Sequence, residues 1–299
     1  MEHDLTLEHM FPKEVPVEVT FAILTPPTVD AVLRRVLSAV DQHGFSLVDA
    51  VALGGLREST ARLLFEQEVA DGHLRAEDWT EFCEAVGCGV VEKTFRLVCV
   101  VLARRNAVLK FAQLCGHGDP SVNQLHLHAA LRTGRDAIRN GIRTASSHTS
   151  ASALLDALAV DLGSGSLPTL FEADTVAQGV ERTYLLAALP KTSEVSVSSA
   201  LRELHTELAK TGLTILTLRA RGALESFTKC WMSRAPHTMF DHLQSSHPAA
   251  CLLAGASSDA VIILACEGPH AVLHVRAAAA SVRRWAPDIH VYSPETSTE

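Results

Sequence analysis

Residues 17–53 read VEVTFAILTPPTVDAVLRRVLSAVDQHGFSLVDAVAL, and this stretch decides the fold class. VEVTFAIL is an apolar run of strand length. From Val29 the apolar residues Val32, Leu33, Val36, Leu37 and Val40 recur at helical spacing until Gly44 stops the helix, and FSLVDAVAL then returns to a strand. Downstream, ESTARLLFEQEVA and RAEDWTEFCEAVG carry helical patterns, TFRLVCVVLAR reads as a third strand and NAVLKFAQLCG as the helix behind it. The order β-α-β-(αα)-β-α predicts an α+β unit of the ferredoxin-like, split βαβ type, with helices over one face of its sheet. Residues 117–150 read as a long functional loop ending in a short strand, and SASALLDALAVDL as a closing helix.

Working outward, the same order returns with different residues. ERTYLLAALP parallels VEVTFAILTPP, SVSSALRELHTELAKTG parallels VDAVLRRVLSAVDQHG, and LTILTLRARG parallels FSLVDAVALGG. ALESFTKCWM and HTMFDHLQSS stand for the paired helices, DAVIILACEG for the apolar strand, and PHAVLHVRAAAASVRRW for the last helix. A period of about 163 residues, Phe21 to Tyr184, is a domain duplication. The predicted division is an N-terminal tail at 1–16, a first domain at 17–162, a linker at 163–180, a truncated second domain at 181–290 and a tail at 291–299. The second copy is expected to lack the whole loop segment of the first.

A hydrophobic fraction of 47% with 20% charged residues is that of a globular chain. No apolar run reaches about eighteen residues, the length expected of a membrane span, so no membrane partner is expected. The acidic start, MEHDLTLEHMFPKE, has no signal-peptide character, which makes a cytoplasmic location the expectation. Seven cysteines without a CxxC pair read as reduced core thiols, and a net charge of -8 argues against nucleic acid as a partner. Cys115 with His117, and His126 with His128, find no second pair at zinc spacing, so no metal or other cofactor is expected.

Residues 132–147, RTGRDAIRNGIRTASS, carry the functional signal. Arg132, Asp136, Ile138, Arg139, Asn140 and Ser147 fit the pattern around the active histidine of nucleoside diphosphate kinases, with LCGHGDP upstream, and the chain resembles that family. Arg143 stands at the histidine position. The resemblance implies phosphate and ribose contacts at Arg132 and Asn140. It also implies that Thr25 and Leu189 replace the phosphate-binding lysine of the two copies, with Lys191 just beyond the second. Phe65 then replaces the tyrosine that supports the histidine, Ala112 and Gly118 replace an arginine and a threonine on the phosphates, and Leu154 replaces the orienting glutamate.

Phosphohistidine chemistry needs a nitrogen lone pair, and a guanidinium has only donors and stays protonated. Arg143 can therefore hold a phosphate but cannot accept one. Each lost hydrogen bond to a charged group is worth roughly 1.5–3 kcal/mol, so three missing contacts weaken nucleotide binding by on the order of a thousandfold. Weak binding at Arg132, Asn140 and Arg143 is the most that remains. Arg132, Arg135, Arg139 and Arg143 recur at spacings of three, four and four, which on a helix would make one basic stripe suited to phosphates or to an acidic protein surface. The alternative is a solvated charged face without a partner.

Two tandem, degenerate units resemble the tandem nucleoside-diphosphate-kinase-like proteins of cilia and flagella. That resemblance implies a pseudoenzyme in the axonemal cytoskeleton, with tubulin or other doublet-microtubule proteins as partners and a lumenal position for some members. Those proteins usually carry an additional N-terminal DM10 domain, which this sequence does not contain. The rival expectation is a nucleotide-sensing or regulatory subunit of an active kinase.

Overall fold

Strands that are largely apolar are buried on both faces, and those of the first unit place alternate side chains into two cores. The computed structural model describes residues 17–27, 29–88, 97–126, 130–164, 181–190, 192–221 and 260–292. The first unit comprises β1 (Val17–Leu24), α1 (Val29–Gln42), β2 (Ser46–Leu53), α2 (Glu58–Ala70), a 3-10 turn (Ala76–Asp78) and α3 (Trp79–Ala85). It continues through β3 (Leu97–Arg105), α4 (Ala107–Cys115), α5 (Pro120–His126), β4 (Ile142–Arg143) and α6 (His148–Ser164). The second comprises β5 (Glu181–Leu189), α7 (Val197–Ala209), β6 (Thr214–Arg221), β7 (Ala260–Gly268), α8 (Ala271–Trp285) and β8 (His290–Tyr292). The fold is α+β, two ferredoxin-like units in tandem. The paired helices expected from ALESFTKCWM and HTMFDHLQSS lie outside the described residues, as does most of the linker.

One core joins the units. Ala22, Leu24, Val100 and Leu102 meet the inner faces of α1 and α4, and the same cluster runs on through α7 and α8. The opposite face of the first sheet, with Phe21, Ile23, Cys99 and Val101, packs under α2, α3 and α6. The expectation of helices on one face alone is therefore corrected for the first unit, because β1 and β3 bury side chains on both faces. The expected long loop also contains a helix, α5. Cys99, Cys115 and Cys266 are buried.

The strand order is β4-β1-β3-β2-β6-β7-β5-β8, so one eight-stranded sheet crosses both units. At its centre β2 pairs antiparallel with β6, with Asp49 opposite Arg221, Ala50 opposite Ala220 and Val51 opposite Arg219. The register repeats between units with a pseudo-twofold relation. Each central strand has a bulge at the same place, after Leu47 in β2 and after Ile215 in β6. Matched carboxylates receive the first turns of the matched helices, Glu18 from the Val108 N–H at 3.4 Å and Glu181 from the Val272 N–H at 3.1 Å. Asn106 and His270, which precede those helices, share the left-handed conformation at φ 55° and 53°.

β8 pairs with β5 as β4 pairs with β1, which sets Tyr292 opposite Leu186 as Arg143 is set opposite Ile23. The second unit thus keeps a strand where the first has its Arg143 strand, contrary to the expected loss of the whole segment, and it runs past the predicted boundary at 290.

α1 and α7 close the seam from above. The Asp41 carboxylate accepts hydrogen bonds from Ser196 and Ser199 at 2.7 Å each and from Ser198, with Arg202 at 3.3 Å. Nearby, His205 Nε2 lies 3.0 Å from Asp30 Oδ1. The continuous sheet and this clasp join the two units.

Removing a carboxylate that gathers several donors leaves those donors to be resatisfied. Asp41→Ala is expected to lower unfolding free energy by about 1–3 kcal/mol in urea titration, and Asp41→Asn by less. A value within about 0.5 kcal/mol of wild type would show that the clasp adds nothing to the seam.

Candidate functional site

The residues from 132 to 147 fold back between α5 and α6 without forming a helix. An isolated bridge joins Gly134 to Asn140, and the Gly141 N–H donates to the Thr133 carbonyl at 2.6 Å. Gly134 has φ 149°, and a Cβ there would lie 2.1 Å from the Arg139 carbonyl oxygen, so the tight turn requires glycine. The chain then enters β4 at the edge of the sheet beside β1.

Arg132 and Asn140 are brought together at this turn, and backbone carbonyls engage their donors. Arg132 Nε donates to the Ile142 carbonyl at 3.1 Å and Nη1 to the Gly116 carbonyl at 2.9 Å. Asn140 Nδ2 donates to the Gly118 carbonyl at 2.9 Å, and its Oδ1 accepts from the Ile142 N–H at 3.1 Å. Thr25, at the position of the missing lysine, is buried, and its hydroxyl donates to the Asn140 carbonyl. Both residues act as braces of the turn.

Arg143 is 0% exposed, the largest fully buried side chain among the described residues. Its Nη1 lies 3.1 Å from Glu68 Oε1, on α2, and that carboxylate is itself 2% exposed. The other Nη donates to the Ile138 carbonyl, and Cζ sits 4.5 Å above the Phe82 ring. Phe65, at the expected tyrosine position, makes edge contacts with Trp79 and Phe82 at 5.2 Å each. Leu154 packs in the same core. Arg143 is thus a cation held in an aromatic and acidic cage.

Burial pulls the Glu68 carboxyl upward, but Arg143 opposes this most strongly, followed by His73 and Arg132, and the net result lies below the ordinary 4.5. Burial pulls the Arg143 guanidinium below its ordinary range, and Glu68 restores part of the loss. Both groups stay charged at neutral pH, because an unpaired charge in this core would be far more costly than the pair. A cleft of about 120 Å³ lies beside the pair, bounded by α2, the end of α4 and the turn at Thr144–Ser146. Glu68, Asp71, His73, His117 and Arg132 are the acidic and basic side chains of its lining. Ala112 and Gly118 are also in that lining and offer no charged donor.

The predicted stripe is not formed. Arg132 is 9% and Arg143 0% exposed, and Arg139 pairs with Asp136 at 3.0 Å and Glu81 at 3.5 Å. A partner surface built on Arg132, Arg135, Arg139 and Arg143 together is corrected on that ground, because the segment turns instead of winding into a helix. Glu68 was not among the sequence candidates. Its signal is the run Ala61, Leu64, Phe65, Glu68, which places an acid on the buried side of α2.

No family model matches the chain, and no curated protein matches it. Among solved structures it is similar to the nucleoside diphosphate kinase of Aquifex aeolicus, with 19% identity over 48% of this chain and 95% of that one, at a TM-score of 0.40. The enzyme from Borrelia burgdorferi, solved with vanadate and ADP, gives 14% identity over 46% and 84% at 0.34. That from Pyrobaculum aerophilum gives 14% over 47% and 94% at 0.34. Each matches about half of this chain. Scores this low carry no argument, and the fold rests on the strand order and register above.

Arg143→Met removes one member of a buried pair and is expected to cost about 3–5 kcal/mol, while Arg143→Met with Glu68→Leu recovers much of that loss. A single substitution as mild as the double would refute the pair as a core element. Because the folded Glu68 value is depressed below the ordinary 4.5, its contribution is full above that pH and is lost as pH falls through the lower, folded value. Unfolding free energy measured from pH 7 down to about 3 should fall less steeply for Glu68→Gln than for wild type.

Proposed function

We propose that this chain is a non-catalytic structural protein built from degenerate nucleoside-diphosphate-kinase-like units. One observation carries the reading: Arg143, at the position where the family pattern has its histidine, is buried and bound to Glu68. Transfer would need a lone pair presented to the γ-phosphorus, and this group presents only donors, all aimed into the protein. Arg132 and Asn140 brace the turn, so their donors already have backbone partners. What the fold offers in place of chemistry is a rigid two-unit body with one continuous sheet.

The finer reading is that this body is a component of ciliary or flagellar doublet microtubules, with tubulin or neighbouring axonemal proteins as its partners and the tubule lumen as one place for it. The tandem resemblance in the sequence supports this. Retention of the protein with detergent-extracted axonemes is the expected outcome of fractionation. Release into the soluble fraction on permeabilisation, with the axoneme left behind, would sink the axonemal reading.

Purified protein is expected to transfer no phosphate from a nucleoside triphosphate to a diphosphate. Arg143→His should stay inactive as well, because Glu68 would then be stripped of its cation and neither Ala112 nor Gly118 can position a phosphate. Acid-labile phosphate on the wild-type chain, or turnover that survives removal of contaminating kinase, would overturn the inert reading. A rise of several degrees in the unfolding midpoint with 1 mM ATP would favour the nucleotide-sensing role, since a ligand near its dissociation constant adds only about 0.4 kcal/mol.

A further inference from the structure

The inner side of α8, with Ala271, Val275, Ala278, Ala279 and Val282, is buried against the second unit. Its outer side centres on Leu273, Ala277, Ala280 and Arg284, spaced by four, three and four residues and all exposed. Leu273 is 65% exposed, the highest value among the large hydrophobics of the described residues. Arg276 and Arg283 lie along one flank, and Trp285, 46% exposed, lies toward the other. A surface helix ordinarily turns its polar face to water, so an apolar centre on the outer face needs a reason.

Charge points the same way. α8 contains three arginines and no carboxylate, within a chain of net charge -8. Arginines in a last helical turn are accounted for by the helix dipole, and Arg283 also caps the Val291 carbonyl. Arg276 lies mid-helix, beyond the reach of that explanation. Among the described residues neither Arg276 nor Arg284 has an ion-pair partner. The matched helix of the first unit, α4, has Gln113 where α8 has Ala277, and ends at Cys115, the position of Ala279. Leu273 has an exposed counterpart in Leu109, at 54%, but Arg276 is matched by Ala112, so the basic and alanine part of the surface belongs to the second unit alone.

We propose that the outer face of α8 docks an acidic amphipathic helix of a partner protein. The partner's apolar seam lies over Leu273, Ala277 and Ala280, and its carboxylates meet Arg276 and Arg284. Alanines at 277 and 280 let a helix approach to about 8 Å between axes, the near end of the usual range. From Leu273 to Arg284 the face is about 16 Å long, three turns of a facing helix. Two unpaired guanidiniums suit a few carboxylates and fall short of the roughly 6–10 phosphate contacts that hold a nucleic acid. The proposal deepens the scaffold reading, on which it rests for its role in the cell.

The test uses the full chain and a fluorescein-labelled synthetic helix of about three heptads with leucine and alanine on one side and glutamate elsewhere, beside a copy with lysine for glutamate. Fluorescence anisotropy should show binding of the acidic peptide that weakens with added salt. The triple variant Leu273→Glu, Arg276→Glu, Arg284→Glu should lose at least about tenfold in affinity with its unfolding midpoint kept, while Leu109→Glu on α4 binds as wild type does. Should the triple variant not fold, Ala277→Glu alone must produce the loss.

No binding by wild type, equal binding of the lysine peptide, or undiminished binding by the α8 variants overturns the proposal. Axoneme retention separates the two readings: a retained protein that ignores the peptide keeps its scaffold role and loses this surface. A protein that binds the peptide but washes out of axonemes keeps the surface and loses the axonemal role.

Discussion

An unpaired strand edge is a row of backbone donors and acceptors that will bind another edge if one is offered. In each unit the strand after the first helix leaves such an edge, and the pairing of β2 with β6 closes both at once. Everything else about the arrangement follows from that seam. It fixes the pseudo-twofold through the Val51–Arg219 pair and brings α1 against α7 on one side of the sheet. It also makes one core of the two inner faces. The Asp41 clasp and the His205–Asp30 contact then lie where the twofold places the two helices, and they add direction to an interface whose energy is mostly apolar.

The buried pair of Arg143 and Glu68 sits at the far edge of the same sheet and obeys a different economy. Attraction between two charges in a core roughly offsets the loss of their hydration, so the pair does little for net stability. Its presence does constrain what else the site can be. A carboxylate buried on α2 needs a cation opposite it, and β4 can supply one only at the residue that faces α2. The aromatic ring of Phe82 over the guanidinium completes the enclosure, with an attraction of about 2 kcal/mol for a desolvated cation. Once that is built, the side chain at 143 is fixed in the core.

Much of this was legible in the sequence for a simple reason: strands buried on both faces are apolar throughout, and the helices between them carry a 3.6-residue stripe. α1, α2 and α7 fall where that periodicity puts them. The duplication was legible through element order, since the strand–helix–strand period survives even where residues differ. The seam was not, because backbone groups at a strand edge leave no mark on side-chain type, and the apolar runs of β2 and β6 fit a central or an edge place equally. The basic stripe was misjudged because spacings of three and four mean a shared face only within a helix. The Gly134 turn, which no periodicity announces, sends Arg132 and Arg143 inward. Glu68 is not legible because either of the two acids in EQEVA looks solvated until the neighbours Leu64 and Phe65 are assigned to the core side.

The two ends of the sheet thus differ in what they leave available. At the first, the turn and the buried pair engage Arg132, Asn140 and Arg143 in holding the chain together. At the second, β8 repeats the strand pairing, and the helix that precedes it is longer than its counterpart and turns an apolar, basic face outward. Divergence between copies that still share register to the residue lies mostly in side chains that leave the sheet, which is where a partner would read them. A pseudo-symmetric core with asymmetric outer faces can bind a single partner in one orientation, because the twofold that orders the interior does not extend to the surface.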